Sequence, residues 1–453
     1  MEKGTTVGCA KIAALFDAGT FVETGAFMKR GDDLTGVVCG YGAVNGKLIY
    51  AFAQDSDRKK GAIDALQAEK IAMLYGMALK NGAPVVGMFD SAGATVADGA
   101  SVLSAYGKLL KVVSDASGIV PQIAIINGVC AGMAATVAAM FDVVVTIKDK
   151  SELYVNAPFL AGKEIGTTDY TAENGLASIT AENESDAVAK AIKLVSMLPS
   201  NCEEGVAIED ISDDINRAVA VEGLCGKELV ETLCDADTFV ALGEAYATEM
   251  ITGIAVFGGV TCGVIANNAA VNGGVITCDG AKKAAKLISF CDTFSIPVVT
   301  LVDSIGVATD AEAEGAPLAA QLGKLAMAYA TADTAKVGVV CGKAYGASFT
   351  LMGSKALGAD MVYALPTSEI SVMAPASAVA FLWNDKITEA VTRADLQEKW
   401  TKECAAPEAA AADGSIDDVV ESAELRQRIC AAVYMLMMKN AGAPARKHCN
   451  LPL

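Results

Sequence analysis

The chain has 453 residues, enough for two or three domains, and 53% of them are hydrophobic, so large buried cores rather than disorder are expected. A formal net charge of -19 excludes nucleic acid as the partner, because neutralising phosphates needs surplus Lys and Arg. The single histidine, His448, stands near the C-terminus, which excludes hydrolytic triads and His-rich metal sites and leaves the chemistry to backbone groups or a cofactor.

From the N-terminus, Met1–Cys9 holds no apolar run of the secretory kind, so a cytoplasmic protein is expected. The 13 cysteines contain no C-x-x-C and sit in apolar stretches, which reads as reduced thiols and gives no metal site. Gly40-Tyr-Gly-Ala-Val-Asn-Gly46 imitates a dinucleotide loop but has one residue too many, lies between β-like flanks and opens no helix. Arg58-Lys-Lys60 is the densest early basic cluster and reads as a solvated loop or a local anion patch. The uncharged runs Ser117–Phe141 and Met250–Cys278 are long enough to suggest membrane spans. Their Asn, Gln and Gly content fits buried strands and helices instead.

The strongest signal is a long-period duplication. Residues 84–93 read Pro-Val-Val-Gly-Met-Phe-Asp-Ser-Ala-Gly, and residues 297–306 read Pro-Val-Val-Thr-Leu-Val-Asp-Ser-Ile-Gly. Pro84 to Pro297 and Asp90 to Asp303 share one offset of 213 residues. A second turn follows at nearly the same distance, 39 residues after Gly93 at Gly132 and 40 after Gly306 at Gly346. Each second turn follows a strand-like run, Gln122–Ile126 or Lys336–Cys341, and leads into a small-residue helix. The acidic stretch Glu203–Asp214 reads as an exposed connection. Two domains are expected, 1–220 and 221–453, with 405–414 as a late Ala-rich linker before a helix over about 421–439.

A strand that ends in a glycine turn before a helix leaves backbone N–H groups pointing outward. Two such turns side by side can aim two donors at one oxygen, forming an oxyanion hole that needs no ionisable side chain. The alternative is a doubly wound sheet whose glycine turns only connect tightly packed elements. Cys130, in the first of the second turns, reads as a core thiol rather than a nucleophile because no base accompanies it.

At these motifs the chain resembles the biotin-dependent carboxyltransferases, of the propionyl-CoA carboxylase β and methylmalonyl-CoA decarboxylase α type. The resemblance runs nearly end to end, through Leu15-Phe-Asp-Ala-Gly-Thr-Phe21, Phe52-Ala-Gln-Asp55, Asp90-Ser-Ala-Gly-Ala94, Ser117-Gly-Ile-Val-Pro-Gln122 and Cys130-Ala-Gly132. It continues through Met197-Leu-Pro-Ser-Asn201, Phe290-Cys-Asp292, Lys343-Ala-Tyr-Gly346, Ser368-Glu-Ile-Ser-Val-Met373 and Lys447-His-Cys-Asn-Leu-Pro-Leu453.

The resemblance implies an α/β fold of tandem crotonase-like domains (two ββα-superhelix halves), assembled as a homo-hexamer. It implies that the N-terminal domain binds an acyl-CoA thioester and the C-terminal domain binds biotin. No Ala-Met-Lys-Met occurs here, so biotin would arrive on a separate carrier protein. A biotin carboxylase or a membrane decarboxylase subunit would complete the complex.

Carried over by motif, the catalytic residues are Gly132, Met133, Ala347 and Ser348. Gly93, Ala94, Gly306, Val307, Gly346 and Thr350 are the substrate-binding residues, Thr350 at a position tied to acyl-chain choice. Where the family usually has Ser-Gly-Gly-Ala-Arg this chain has Ser91-Ala-Gly-Ala-Thr95, and the last Gly of Cys-Ala-Gly-Gly is Met133. Pro-Gly-Phe is replaced by Ser304-Ile-Gly-Val307, and Tyr-Gly-Gly-Ala by Tyr345-Gly-Ala-Ser348. The basic N-terminal segment that helps relatives hold CoA has no match.

The implied function is transfer of CO2 between carrier-bound biotin and a short-chain acyl-CoA, propionyl/methylmalonyl or acetyl/malonyl, leaning to the decarboxylase α type. The alternatives are an acyl-CoA carboxylase β subunit, a degenerate structural subunit, and a crotonase-like hydratase or isomerase, for which Asp98 is the only nearby carboxylate at the N-terminal turns.

Overall fold

The computed structural model describes residues 6–30, 33–208, 210, 213–309, 311–315 and 317–439. His448 and the Lys447–Leu453 motif lie outside them. The chain divides into two compact units, Met1–Gly205 and Val206–Leu453. The division falls ahead of the expected 220/221 boundary, and the reason is local. Ile208 pairs with Val260, and the Arg217 guanidinium donates to the carbonyls of Thr232 and Cys234, so 206–220 is stitched to the second sheet.

In the first unit an eight-stranded sheet opens with β1 (Val22–Thr24), β2 (Val37–Val44) and β3 (Lys47–Gln54), paired antiparallel. It continues in parallel through β4 (Val85–Ser91), β5 (Gln122–Ala131), β6 (Val143–Ile147) and β8 (Ile179–Ala181), while β7 (Glu152–Tyr154) pairs with the far end of β5. The helices α1 (Val7–Ala13), α2 (Ala65–Asn81), α3 (Ala100–Ala116), α4 (Met133–Ala139) and α5 (Glu184–Met197) complete the framework. Local signals set the boundaries. Asp64 caps α2 by accepting from the N–H groups of Leu66 and Gln67, and Gly82 at φ +57° ends it in the left-handed conformation. Between those caps Ile71, Leu74, Tyr75 and Ala78 recur at helical spacing and are all buried.

The second unit repeats this plan. Its eight-stranded sheet runs β9 (Val240–Ala241), β10 (Met250–Phe257), β11 (Val260–Asn267), β12 (Val298–Ser304), β13 (Lys336–Tyr345), β14 (Met361–Ala364) and β16 (Asp418–Val419), with β15 (Glu369–Ser371) on the end of β13. Its principal helices are α6 (Cys278–Thr293), α7 (Leu318–Thr331), α8 (Ala347–Leu351), α9 (Pro375–Leu382) and α10 (Ser422–Leu436). The Gly40–Gly46 stretch lies in the β2–β3 hairpin, matching its β-like flanks. Residues 405–414, expected as a linker, include a helix over Pro407–Ala412. Pro407 at its first position and a run of alanines favour that outcome, and Pro407 and Ala410 are buried.

The duplication extends to single atoms. The Asn45-Gly46 hairpin turn donates two N–H groups to the Asp17 carboxylate, and the Gly258-Gly259 turn donates two to Asp235. Lys70 Nζ donates to the Val37 carbonyl at 2.9 Å, and Lys283 Nζ to the Met250 carbonyl at 2.7 Å, both partners displaced by 213 residues.

Candidate functional site

In both units the two central strands fall out of register just before their turns. Phe89 pairs with Ile126 but Ser91 with Cys130, and likewise Val302 pairs with Val340 but Ser304 with Ala344. The slip lets the long strand run on to meet β7 or β15, while the shorter strand breaks into its glycine turn beside it. Gly93 is consequently close to the other turn: a Cβ there would stand 3.5 Å from the Ala131 carbonyl oxygen, and one on Gly306 would stand 3.8 Å from that of Tyr345.

In the first turn Ala92 N–H donates to the Lys60 carbonyl at 3.0 Å, and Gly93 N–H donates to Ser91 Oγ at 3.2 Å. Ile63 receives from Thr95 N–H at 2.9 Å and donates to the Gly93 carbonyl at 2.8 Å. Ala94 N–H is left without a partner among the described residues. In the adjoining turn Gly132 N–H donates to the Tyr154 carbonyl at 2.9 Å, and Gly132, at φ +62° and ψ -130°, turns the chain so that Met133 opens α4. Met133 N–H is an orphan donor of that first helical turn.

The second unit repeats the arrangement bond for bond. Gly306 N–H donates to Ser304 Oγ at 3.2 Å, and Ile276 bonds both flanks of Val307 at 3.0 Å each. Gly346, at φ +57° and ψ -128°, donates to the Ser371 carbonyl at 2.9 Å and starts α8 at Ala347. Val307 and Ala347 keep their N–H groups.

The expected glycines therefore shape the turns, while their own N–H groups are already used. Ala94, Met133, Val307 and Ala347 carry the available donors. Ser348 is fully buried, with its hydroxyl donating to the Tyr345 carbonyl at 2.8 Å, so it braces the second site from behind. Thr350 is exposed on α8, and its carbonyl accepts from Ser354 Oγ.

Sequence reasoning missed Ser91 and Ser304, although both stand in the Asp-Ser-x-Gly repeat two residues before the glycine. It also missed Ile63 and Ile276, whose only signal is the shared 213-residue offset. Two side-chain pairs were not legible. Lys11 on α1 reaches Asp90 at 2.6 Å, and Tyr345 donates to Glu369. Burial pushes the thiols of Cys130 and Cys341 up, reinforced by Asp90 and Asp303 respectively, so Cys130 is a protonated core residue. Burial and Glu369 likewise raise the Tyr345 phenol.

Residues 1–451 match the carboxyl transferase domain. The chain belongs to the carboxyl transferase family. It is 34% identical over 482 residues to the methylmalonyl-CoA decarboxylase subunit alpha of Veillonella parvula, covering 100% of this chain and 94% of that one. It is 32% identical over 486 residues to the carboxyltransferase subunit of propionyl-CoA carboxylase from Haloferax mediterranei, with the same coverage. Among solved structures it resembles transcarboxylase 12S, bound to methylmalonyl-coenzyme A and methylmalonic acid, with TM-score 0.92, 31% identity, and 98% of this chain and 92% of that one covered. The expected family, the tandem crotonase-like α/β fold and the carboxyltransferase class of enzyme are borne out.

Proposed function

We propose that this carboxyltransferase moves CO2 between biotin on a separate carrier protein and a short-chain acyl-CoA, as the α-type subunit of a methylmalonyl-CoA decarboxylase. The same site run in reverse is that of an acyl-CoA carboxylase β subunit. The observation that carries the reading is the duplicated pair of unpartnered backbone donors, Ala94 with Met133 and Val307 with Ala347. Every departure from the family's usual motif at these turns changes a side chain and leaves the N–H groups in place, which speaks against a degenerate structural subunit.

In the first unit, Ala94 and Met133 N–H hold the thioester oxygen, whose negative charge grows as the α-carbon loses its proton or its carboxyl group. Fixed dipoles aimed at a developing oxyanion are worth roughly 10²–10³ in rate per donor. In the second unit, Val307 and Ala347 N–H suit the ureido oxygen of biotin, because no ionised side chain stands among Ile305–Val307 or Gly346–Ser348 to compete. Biotin, when bound, supplies the carboxyl group in one direction and accepts it in the other.

The assembly we propose is a homo-hexamer like that of transcarboxylase 12S. It would be served by a biotin carrier and a membrane decarboxylase subunit or biotin carboxylase in a reducing cytoplasm. Exposed apolar residues that follow β7 and β15, Phe159 at 86% and Phe381 at 79% exposure, give each unit a surface suited to burial between copies. The described cysteines are all free thiols.

The test follows methylmalonyl-CoA and malonyl-CoA by mass spectrometry in the presence and absence of free biotin. Biotin-dependent loss of one thioester is expected. Absence of turnover, together with no binding of either ester, would overturn the reading.

A further inference from the structure

A closed cavity lies inside the first unit, with about 10 Å³ available to the centre of a water-sized group. That is room for roughly one water or one methyl group. Its walls are almost wholly apolar, and two of them belong to the donor turns described above. Ile63, which bonds both flanks of Ala94, lines one side, and Ala134 and Val137, in the first turns of α4 behind Met133, line another. Tyr106 and Leu109 of α3 close the far end. Tyr106 is only 3% exposed, and its hydroxyl has no hydrogen-bond partner. A polar group left unpaired at the end of a small apolar space is costly unless that space has a use.

We propose that this cavity receives the single carbon that a propionyl or methylmalonyl thioester carries beyond its α-carbon. The inference rests on reading Ala94 and Met133 as the thioester-oxygen donors, and it names the acyl group which that reading leaves open. With the oxygen fixed by donors on two sides of the cavity wall, the group on the α-carbon is brought against the same wall. Ile63 is the part of that wall with a side chain able to turn aside. An acetyl group leaves the space unfilled. A butyryl group needs a second carbon, and Tyr106 and Leu109 block it. Tyr106, Leu109 and Val137 thus set chain length.

The test is equilibrium binding of acetyl-, propionyl- and butyryl-CoA to the full chain by calorimetry. Two variants bracket it: Val137→Phe, which fills the cavity, and Leu109→Ala, which lengthens it, each checked for folding by circular dichroism. Burying one methyl is worth about fourfold in affinity. The expected result is propionyl-CoA at least about fourfold tighter than acetyl-CoA in the unaltered chain. In Val137→Phe that ratio should fall towards one, and in Leu109→Ala butyryl-CoA should gain several-fold on propionyl-CoA. Binding of all three esters with ratios that neither folded variant changes, or tighter binding of acetyl-CoA, would overturn the chain-length proposal alone. Failure of all three esters to bind would overturn the thioester-site reading, and this proposal with it.

Discussion

Gly132 and Gly346 hold nearly the same backbone angles, φ near +60° with ψ near -130°, a region that residues with a Cβ rarely enter. Their contribution is the direction in which the next residue's N–H points. Gly132→Ala is therefore expected to lower kcat by about 10²-fold or more by turning Met133 N–H away. Met133→Ala keeps the same N–H and should stay within about tenfold of the unaltered enzyme; steady-state kinetics with methylmalonyl-CoA separates the two. Equal losses in both variants would mean that the Met133 side chain, not its backbone, does the work. The glycines were legible in the sequence because their conformation admits little else. Their neighbours Ala94 and Met133 were legible only as positions beside them, since a backbone donor leaves no mark on residue identity. The partners that use up the glycine N–H groups, Ser91 and Ser304, were visible in the repeat, but their role emerges only when the turns are folded.

At the scale of elements, α10 is fastened to the second unit by Arg426, which is fully buried. It donates to Asp235 at 2.7 Å and to the Leu233 carbonyl at 2.7 Å, and it lies 3.3 Å from Asp213. Asp235 in turn accepts from the N–H groups of the Gly258-Gly259 hairpin, so one guanidinium ties helix to sheet. Arg426→Met leaves two carboxylates without that cation and should cost about 3 kcal/mol or more in urea unfolding. A loss below about 1 kcal/mol would show that the hairpin N–H groups alone satisfy Asp235. The same network explains why the unit boundary precedes residue 220. The acidic 203–214 stretch reads as a solvated connector, yet Asp213 is held by Arg217 and Arg426, and charge alone does not tell a solvated Asp from a paired one. The strands around both turns were legible because Val-rich runs followed by Asp-Ser-x-Gly recur. The helix at Pro407–Ala412 was not, because alanine-rich segments suit linkers and helices alike until burial decides.

For the whole molecule, the many buried thiols set its response to alkali. Burial pushes the Cys39 thiol up to about 12 and that of Cys430 up to about 11. In the unfolded chain such thiols ionise near about 8.5. Above that pH the unfolded state releases protons that the folded state keeps, so stability is full below about pH 8.5 and falls as pH rises through 11 and 12. Lys283, lowered by burial to about 8, works the other way between pH 8 and about 10.4, but it is one group against many. Urea midpoints from pH 7.5 to 10.5 should therefore decline; a rise would show that Lys283 outweighs the thiols.

Duplication accounts for the architecture, with two units of one plan each offering one pair of donors. The most direct test of that division is biotin-dependent carboxyl loss from methylmalonyl-CoA in Gly346→Ala, measured beside the propionyl-CoA dissociation constant of the same variant. The expected result is a loss of about 10²-fold or more in the biotin-dependent rate with acyl-CoA affinity unchanged. Turnover at the unaltered rate, or lost acyl-CoA affinity with the biotin-dependent rate intact, would contradict it.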